Sequence, residues 1–414
     1  MNQSEQFDVV VIGGGASGMM AAIVAAQSGK RVVILEKNKT LGNKLDITGG
    51  GRCNITNAES DMRKFLLKYG KASQFLFSAF SRFSNKDTFN FFESKGLPLI
   101  TQELQRVFPK SEKATDVTKV LKNELKKYNI SIYTKCVVQK INHDVKKIIN
   151  ITTSQGNICG KSYVLATGGM SHPETGSTGD GFIWLQELGH TVRAATPTIT
   201  PLSVDDTWAT SIPGTKISDI KITFFANKIK QFSKTGAILF THFGISGPLI
   251  LNSSTQVADL MHGATVTAKI DLFPQKNLGE LEKEIINHFN DSKNKNLKTV
   301  LKEIIPAGLI KGLELLLPAI NFDTKVHSVT KDDRKKIIHC MKELPLLITG
   351  LMGFEKAVVA DGGVDLKEID MATMQSKKIN NLFVTGDLLH INRPSGGYSL
   401  QLCWTTGYLA GISV

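Results

Sequence analysis

The sequence predicts an α/β fold in which the two ends of the chain build one parallel sheet around an insertion that is first β-rich and then helical. Three observations carry this: a strand–glycine turn–helix–strand unit over residues 7–36, a second apolar strand closed by Gly-Asp over 381–387, and a change of texture between about 190 and 350.

The first unit opens with an apolar run, Phe7 to Ile12. It is followed by Gly13-Gly14-Gly15-Ala16-Ser17-Gly18, an alanine-rich stretch to about Ser28, and Arg31-Val32-Val33-Ile34-Leu35-Glu36. Gly13 permits a tight turn, Gly15 lets the backbone approach a pyrophosphate, and Gly18 lets helix pack on strand. The new helix, with Ala16 and Ser17 in its first turn, points unpaired N–H groups at the phosphates. Glu36 ends the second strand, where a carboxylate accepts hydrogen bonds from a ribose diol and repels a 2′-phosphate. The expected nucleotide is therefore FAD or NAD rather than NADP. Glycine spacing alone is a weak signal in a chain with 36 glycines. Its place between an apolar strand and a helix is what makes it specific.

The following elements continue the pattern. Phe75, Phe77, Phe80, Phe83, Phe89, Phe91 and Phe92 recur at helical spacings and predict helix core over 72–92. Residues 115–128 read as an amphipathic helix and 130–140 as a strand. Tyr163-Val164-Leu165-Ala166-Thr167-Gly168-Gly169 is a further apolar strand running into glycines. The polar glycine loop 175–182 leads into a helix at 183–188, and its Ser and Thr residues either cap that helix or contact a ligand. Beyond His190, Pro197, Pro201 and Pro213 punctuate short β-type runs at 217–225, 237–241 and 265–272. From 278 to about 344 the sequence is helical and charged, and at Gly350 the glycine-rich strand-and-turn style returns. A length of 414 residues exceeds one ordinary core. The expected domains are 1–190 with 350–414, then 191–275 (β-rich) and 276–349 (helical).

Chemistry concentrates in four places. Asp387 closes the 381–387 strand with Gly386 and resembles the Asp that, in flavoproteins of the glutathione reductase type, takes hydrogen bonds from the ribityl chain near the pyrophosphate. NAD dehydrogenases do not need such an Asp, so the two terminal signals and the 163–169 strand together select FAD. Gly49-Gly50-Gly51-Arg52-Cys53-Asn54 form a loop whose backbone can lie against a flat ligand, with Arg52 offering fixed donors to phosphate or to negative charge developing on a flavin. Cys53 is either a proton donor or redox partner, or a buried inert thiol. Ser395-Gly396-Gly397-Tyr398 precede a closing helix at 402–410. The positive N-terminal end of that helix, aimed at the pyrimidine edge of an isoalloxazine, would favour electron uptake. His242, in Thr241-His242-Phe243-Gly244-Ile245-Ser246-Gly247-Pro248, is either an acid–base group over the flavin or a structural hydrogen-bonder.

Composition sets the remaining bounds. Hydrophobic content of 41% and charged content of 21% describe a soluble globular protein. The apolar stretch from Val9 to Ala26 is broken by glycines and fits a buried strand and helix, not a membrane span. No signal peptide is visible. Five cysteines without a C-x-x-C argue against a disulfide framework or a zinc site, and a reducing cytoplasm fits best. The formal charge is +13, and residues 61–150 carry 18 Lys and Arg against 8 Asp and Glu. That excess is either a solvated lysine-rich face or a polyanion-facing flank, RNA included; no nucleic-acid motif accompanies it.

In this order the motifs resemble the BaiN/YhiN-type flavoproteins, also labelled aminoacetone oxidase family FAD-binding enzymes. The similarity lies in G-G-G-A-S-G, G-N-K-L-D-I-T-G-G-G-R-C-N-I-T-N, A-T-G-G, T-G-S-T-G-D-G, T-H-F-G-I-S-G-P, G-G-V-D-L-K-E-I-D and the G-D…G-G-Y ending, nearly end to end. The resemblance implies a glutathione-reductase-type Rossmann FAD domain split in sequence, an inserted β-barrel-like domain and a helical lobe. It implies FAD contacts at Gly13–Gly18, Glu36, Lys37, Lys44, Gly51, Arg52, Cys53, Asn54, Val138, Thr167, Gly168, Gly386, Asp387, Gly396, Gly397 and Tyr398. The stretch His390-Ile391-Asn392-Arg393-Pro394 departs from the more usual acidic, glycine-containing text of the family; it is expected to line the flavin pocket, which weakens the transfer of a relative's substrate to this chain. Activities in the family span amine oxidation, reduction of a conjugated C=C bond and dihydrouridine formation in ribosomal RNA.

The expected function is an FAD-dependent reductase passing hydride to an activated C=C bond, with uridine in RNA one possible acceptor. No second G-x-G-x-x-G stands between a strand and a helix, so an NAD(P)H donor would bind transiently over the flavin. The rival readings are an oxidase taking electrons from a small amine to O₂, and a flavin-carrying binding protein without turnover.

Overall fold

The computed structural model describes residues 5–414. The chain forms two compact units, one from the chain up to Pro197 together with Val358–Val414, the other from Thr198–Ala357.

The first unit is built on five parallel strands: β1 (Glu5–Ile12), β2 (Val32–Leu35), β3 (Ser131–Tyr133), β4 (Gly156–Leu165) and β5 (Leu382–Val384). Their spatial order is β3-β2-β1-β4-β5. The central strands are continuous apolar runs because layers cover both faces of the sheet; every residue of β2 and β5 is buried. The chain steps from β1 outward to β2 and β3, then returns to the other side of β1 with β4 and β5. This reversal creates a topological switch point between β1 and β4. Ile12 lies opposite both Leu35 and Leu165, and Leu165 lies opposite Val384. The carboxyl ends are therefore level, and Gly13, Glu36, Ala166 and Thr385 leave the sheet along one edge.

Helix α1 (Ala16–Gln27) follows β1 and carries no charged residue, consistent with its burial beneath α2 (Tyr398–Ser413). The helices meet backbone to backbone: a Cβ at Gly407 would lie 2.4 Å from the Ser17 carbonyl oxygen. α2 starts at Tyr398, four residues ahead of the expected 402, so Gly397 is itself the N-cap. The phenylalanine-rich stretch forms two helices, Ser73–Arg82 and Asn85–Glu93. The break falls where Ser84 and Asp87 make a capping box. Phe80, Phe83 and Phe92 are buried, whereas Phe77 faces solvent. The expected strand over 130–140 is two strands, β3 and Val138–His143, parted at Lys135, whose φ is +54°. A small antiparallel sheet joins Thr56–Asn57, Arg106–Pro109 and Leu99–Gln102.

The second unit is a closed six-stranded barrel in the order Leu202–Val204, Gly244–Ser246, Ile229–Thr241, Lys216–Ala226, Val266–Asp271, Leu344–Leu351. Helices Leu278–Asp291, Gly308–Leu316 and Lys331–Lys342 precede its closing strand and share one core with it, to which the strands contribute Phe224 and Ile270 and the helices Leu281, Leu313 and Ile337. The β-rich and helical stretches are thus one unit, because the strand that closes the barrel comes after the helices. The Thr241–Pro248 block has a structural reason: a Cβ at Gly244 would lie 2.2 Å from the Leu202 carbonyl oxygen across the barrel seam. Among the described residues no helix is long and apolar enough to cross a membrane.

Candidate functional site

The switch-point edge gathers most of the expected residues. Gly13 turns with φ +105°, and a Cβ there would lie 2.5 Å from the Ala166 carbonyl oxygen. A Cβ at Gly18 would lie 2.0 Å from the carbonyl oxygen of Gly13. At Gly15, by contrast, a Cβ would meet nothing within 4 Å, so this glycine faces open space. Gly15 is the N-cap of α1, which has no side-chain cap and no acid in its first turn. That leaves the first-turn N–H groups, Ala16 and Ser17 included, available to an anion.

Glu36 is 8% exposed and spans the turn. Its Oε2 accepts from the Gly14 N–H and its Oε1 from the Asn38 N–H, both at 2.8 Å. A carboxylate has about four acceptor sites, so capacity remains for a diol. The Glu36 carbonyl accepts from the Cys136 N–H two residues before Val138, which places the Val138 strand beside the same corner. Lys37 pairs with Asp180 at 2.7 Å and donates to the Thr178 hydroxyl, while the Asn38 amide donates to the Thr175 carbonyl at 3.0 Å. The 175–182 loop is thus tied to the end of β2. Its helix, Asp180–Glu187, has Gly179 as N-cap and no side-chain cap, so these Ser and Thr residues do not cap it. Gly181 packs on the side chain of Thr167, and a Cβ at Gly168 would press on the Ser177 hydroxyl.

Asp387, at the end of β5, is the electrostatic centre. Lys44 Nζ lies 3.5 Å from its Oδ2 and 3.4 Å from the Ser171 hydroxyl. Arg393 Nη2 donates to its Oδ1. Burial alone would raise the Asp387 pKa, but Arg393 and Lys44 outweigh it and hold the group below the usual carboxylate range. Gly386 passes over α1 with φ +61°, and a Cβ there would lie 3.0 Å from the Ser17 hydroxyl. Sequence reasoning missed Arg393 as a site residue. The signal was a lone arginine in the unusual 390–394 stretch, a few residues beyond Gly386-Asp387.

The Gly49–Asn54 loop has successive left-handed residues, with φ of +59°, +67° and +82° at Gly49, Gly50 and Gly51 and +60° at Cys53. At Gly50 and Gly51 a Cβ would meet nothing within 4 Å. Arg52 lies over the Phe108 ring at 4.7 Å and 3.5 Å from Glu112, and Asn54 accepts from the Val107 N–H at 3.3 Å. Cys53 is fully buried and its thiol is pushed up to about 12, mainly by burial. A thiolate is not available there at neutral pH. Gly396 and Gly397 lead into α2. The close approach at Gly397 is to protein: a Cβ there would lie 2.3 Å from the Thr56 carbonyl oxygen. Tyr398 turns its ring into the cluster of Phe65 and Tyr69, and the Tyr69 hydroxyl donates to its carbonyl at 2.8 Å. His242 falls in the second unit, exposed between strands Ile229–Thr241 and Gly244–Ser246.

A second polar group adjoins Asp387 in sequence. His390 Nε2 lies 3.4 Å from Asp361 Oδ1 and 3.3 Å from Arg193 Nη1, and all three belong to the first unit. The Ser376–His190–Glu368 chain resembles a hydrolytic triad only in connectivity. The Ser376 hydroxyl accepts from the Lys378 and Ile379 N–H groups in a tight turn, and His190 is buried.

These residues fit FAD. Gly15, Gly50 and Gly51 leave open the space that a side chain would fill. The N-terminus of α1 lacks an intrinsic cap, and Lys44 and Arg393 exceed the charge of Asp387 by one. The comparisons agree with this reading. A relative from Clostridium scindens named 3-dehydro-bile acid delta(4,6)-reductase is 30% identical over 404 residues, covering 97% of each chain. One from Haemophilus influenzae named ribosomal RNA dihydrouridine synthase is 29% identical over 419 residues, covering 99% of each. A solved 3-ketosteroid-delta4-(5alpha)-dehydrogenase from Rhodococcus jostii RHA1 shares the fold at a TM-score of 0.53 and 14% identity, over 100% of this chain and 98% of its own. The model of the HI0933-like protein Rossmann domain matches residues 7–413, and the chain belongs to this family of FAD-binding oxidoreductases, the BaiN/YhiN type.

Proposed function

We propose that the protein is a reductase that saturates an activated C=C bond, with NAD(P)H as reductant and uridine in ribosomal RNA as the acceptor. The observation that carries the proposal is the near-complete match to two relatives whose names share one chemistry. A delta(4,6)-reductase saturates a conjugated double bond, and dihydrouridine is uridine with one ring double bond saturated. Bound FAD supplies the two-electron carrier between nicotinamide and acceptor.

The chain supplies binding and protons. The glycine turn and the α1 N-terminus hold the diphosphate, Glu36 the ribose and Asp387 the ribityl chain. Saturation consumes a proton as well as a hydride equivalent. His390, held by Asp361 and Arg193, is the titratable side chain that the loop after Asp387 offers as its source. RNA as acceptor is supported by the positive excess over 61–150, where Arg63, Lys64, Lys68 and Lys71 stand exposed around helix Met62–Leu67.

The test is to incubate the FAD-loaded protein and NAD(P)H with ribosomal RNA lacking dihydrouridine and, separately, with a 3-oxo-4-ene steroid, scoring saturation by mass spectrometry. Saturated uridine in RNA is the expected result. Saturation of the steroid alone would replace RNA with a small conjugated ketone, and saturation of neither would remove the reductase reading. Charge reversal at Lys68 and Lys71 should weaken RNA binding and flatten its salt dependence.

A further inference from the structure

The Arg393 side chain is 1% exposed. Its Nη2 donates to Asp387 Oδ1, its Nη1 to the Ile391 carbonyl at 2.7 Å and its Nε to the Ser399 hydroxyl at 3.1 Å. Ser399 lies in the first turn of α2, where the helix dipole is positive and a cation is disfavoured. Lys44 reaches the other oxygen of the same carboxylate. Two cations thus converge on one anion, in a desolvated corner bordered by the N-termini of α1 and α2. A buried excess of positive charge is costly unless further negative charge arrives. The diphosphate of FAD would bring it, but Asp387 uncompensated would repel that same diphosphate.

We infer that Arg393 is a positioning residue that cancels the charge of Asp387, allowing one corner to hold both a carboxylate for the ribityl chain and the anionic diphosphate. The inference rests on the FAD reading of the site and extends it to a residue outside the glycine fingerprint. The charged or titratable groups facing Asp387 are Lys44, Arg393 and Cys403, and Tyr69 faces Arg393. Burial pushes the Cys403 thiol up to about 12 and raises the Tyr69 hydroxyl well above its usual range, so both stay neutral. With Arg393 present, FAD affinity is therefore flat with pH around neutrality. With Arg393 removed, Asp387 stands opposite the diphosphate with only the longer Lys44 contact. Affinity then falls, and it recovers on acidification as Asp387 takes up a proton.

The experiment strips FAD from wild type, Arg393→Met, Arg393→Lys and the Arg393→Met/Asp387→Asn double variant. Circular dichroism confirms each apoprotein folded, and FAD affinity is titrated from about pH 6 to 8. Arg393→Met should bind about tenfold or more weakly at the upper pH and regain affinity at the lower. Arg393→Lys should recover part of the loss, and the double variant should bind independently of pH. Wild-type affinity in a folded Arg393→Met would overturn the inference while leaving the FAD site intact. So would a loss equal at every pH that Asp387→Asn does not relieve. Wild type that takes up no FAD would overturn the inference together with the cofactor reading beneath it.

Discussion

Glu36→Gln isolates the residue that ties the glycine turn to the nucleotide. In the wild type each carboxylate oxygen already accepts one backbone N–H at 2.8 Å, from Gly14 and from Asn38. An amide has one oxygen, so its NH₂ must face one of those donors and leave it without an acceptor. At 8% exposure water compensates poorly, and a buried unsatisfied donor costs about 1–3 kcal/mol. The apoprotein should therefore melt a few degrees lower. Replacing the carboxylate also removes a charge-assisted acceptor for the ribose diol, about 1.5–3 kcal/mol. FAD affinity should then fall roughly tenfold to a hundredfold. The assay is FAD titration of stripped protein by flavin fluorescence, paired with calorimetry of the apoprotein. An unchanged melting temperature with affinity within about twofold of wild type would refute the assignment of Glu36.

Three further outcomes follow from the geometry. Cys53→Ala should leave FAD binding and the rate of flavin reduction near wild type, because the buried thiol at about 12 supplies neither thiolate nor proton at neutral pH; a large loss of either would restore Cys53 as a redox group. His390→Gln should lower acceptor saturation by about 10²–10⁴-fold while leaving reduction of the flavin by NAD(P)H unaffected, and stopped-flow separation of the two half-reactions checks this. Burial holds His190 below its ordinary range; at Glu368, Lys378, Thr191 and His190 outweigh burial and hold the carboxyl down at about 2. Both groups bind fewer protons folded than unfolded, so their contribution is complete above the ordinary histidine range and declines as the pH falls. The melting temperature should accordingly drop between about pH 7.5 and 5, more steeply in Glu368→Gln, which removes the carboxylate that partly offsets burial at His190, and an identical slope in the two proteins would exclude this pair as the cause.

The parts of the site that depend on local chemistry were legible in the sequence. Gly13, Gly15 and Gly18 answer to a turn, an open approach and a helix contact within one unit of chain, and Glu36 closes that unit. Asp387 is likewise marked by its own strand and glycine. What escaped depends on contacts that no local period encodes. Gly397 approaches Thr56 from far along the chain, and Arg393 loops back to Asp387 and forward to Ser399 in the first turn of α2. The strand Leu344–Leu351 closes a barrel begun at Leu202, after the four helices that follow Val266–Asp271, so the β-rich and helical stretches looked separable when they share one core. The early start of α2 was hidden because glycine and serine weigh against helix locally, whereas packing on α1 favours it. The Thr241–Pro248 block stood out in the sequence, and the barrel seam at Gly244 accounts for its glycine.

The central claim is a flavin that takes electrons from a nicotinamide and gives them to a C=C bond, and an anaerobic titration of the FAD-loaded protein tests it most directly. NADH or NADPH should bleach the visible flavin band, and addition of unmodified ribosomal RNA or a conjugated ketone should restore it with saturation of the acceptor. A band that persists with either nucleotide, and that bleaches instead with a small amine before recovering in O₂ with peroxide released, would contradict the account.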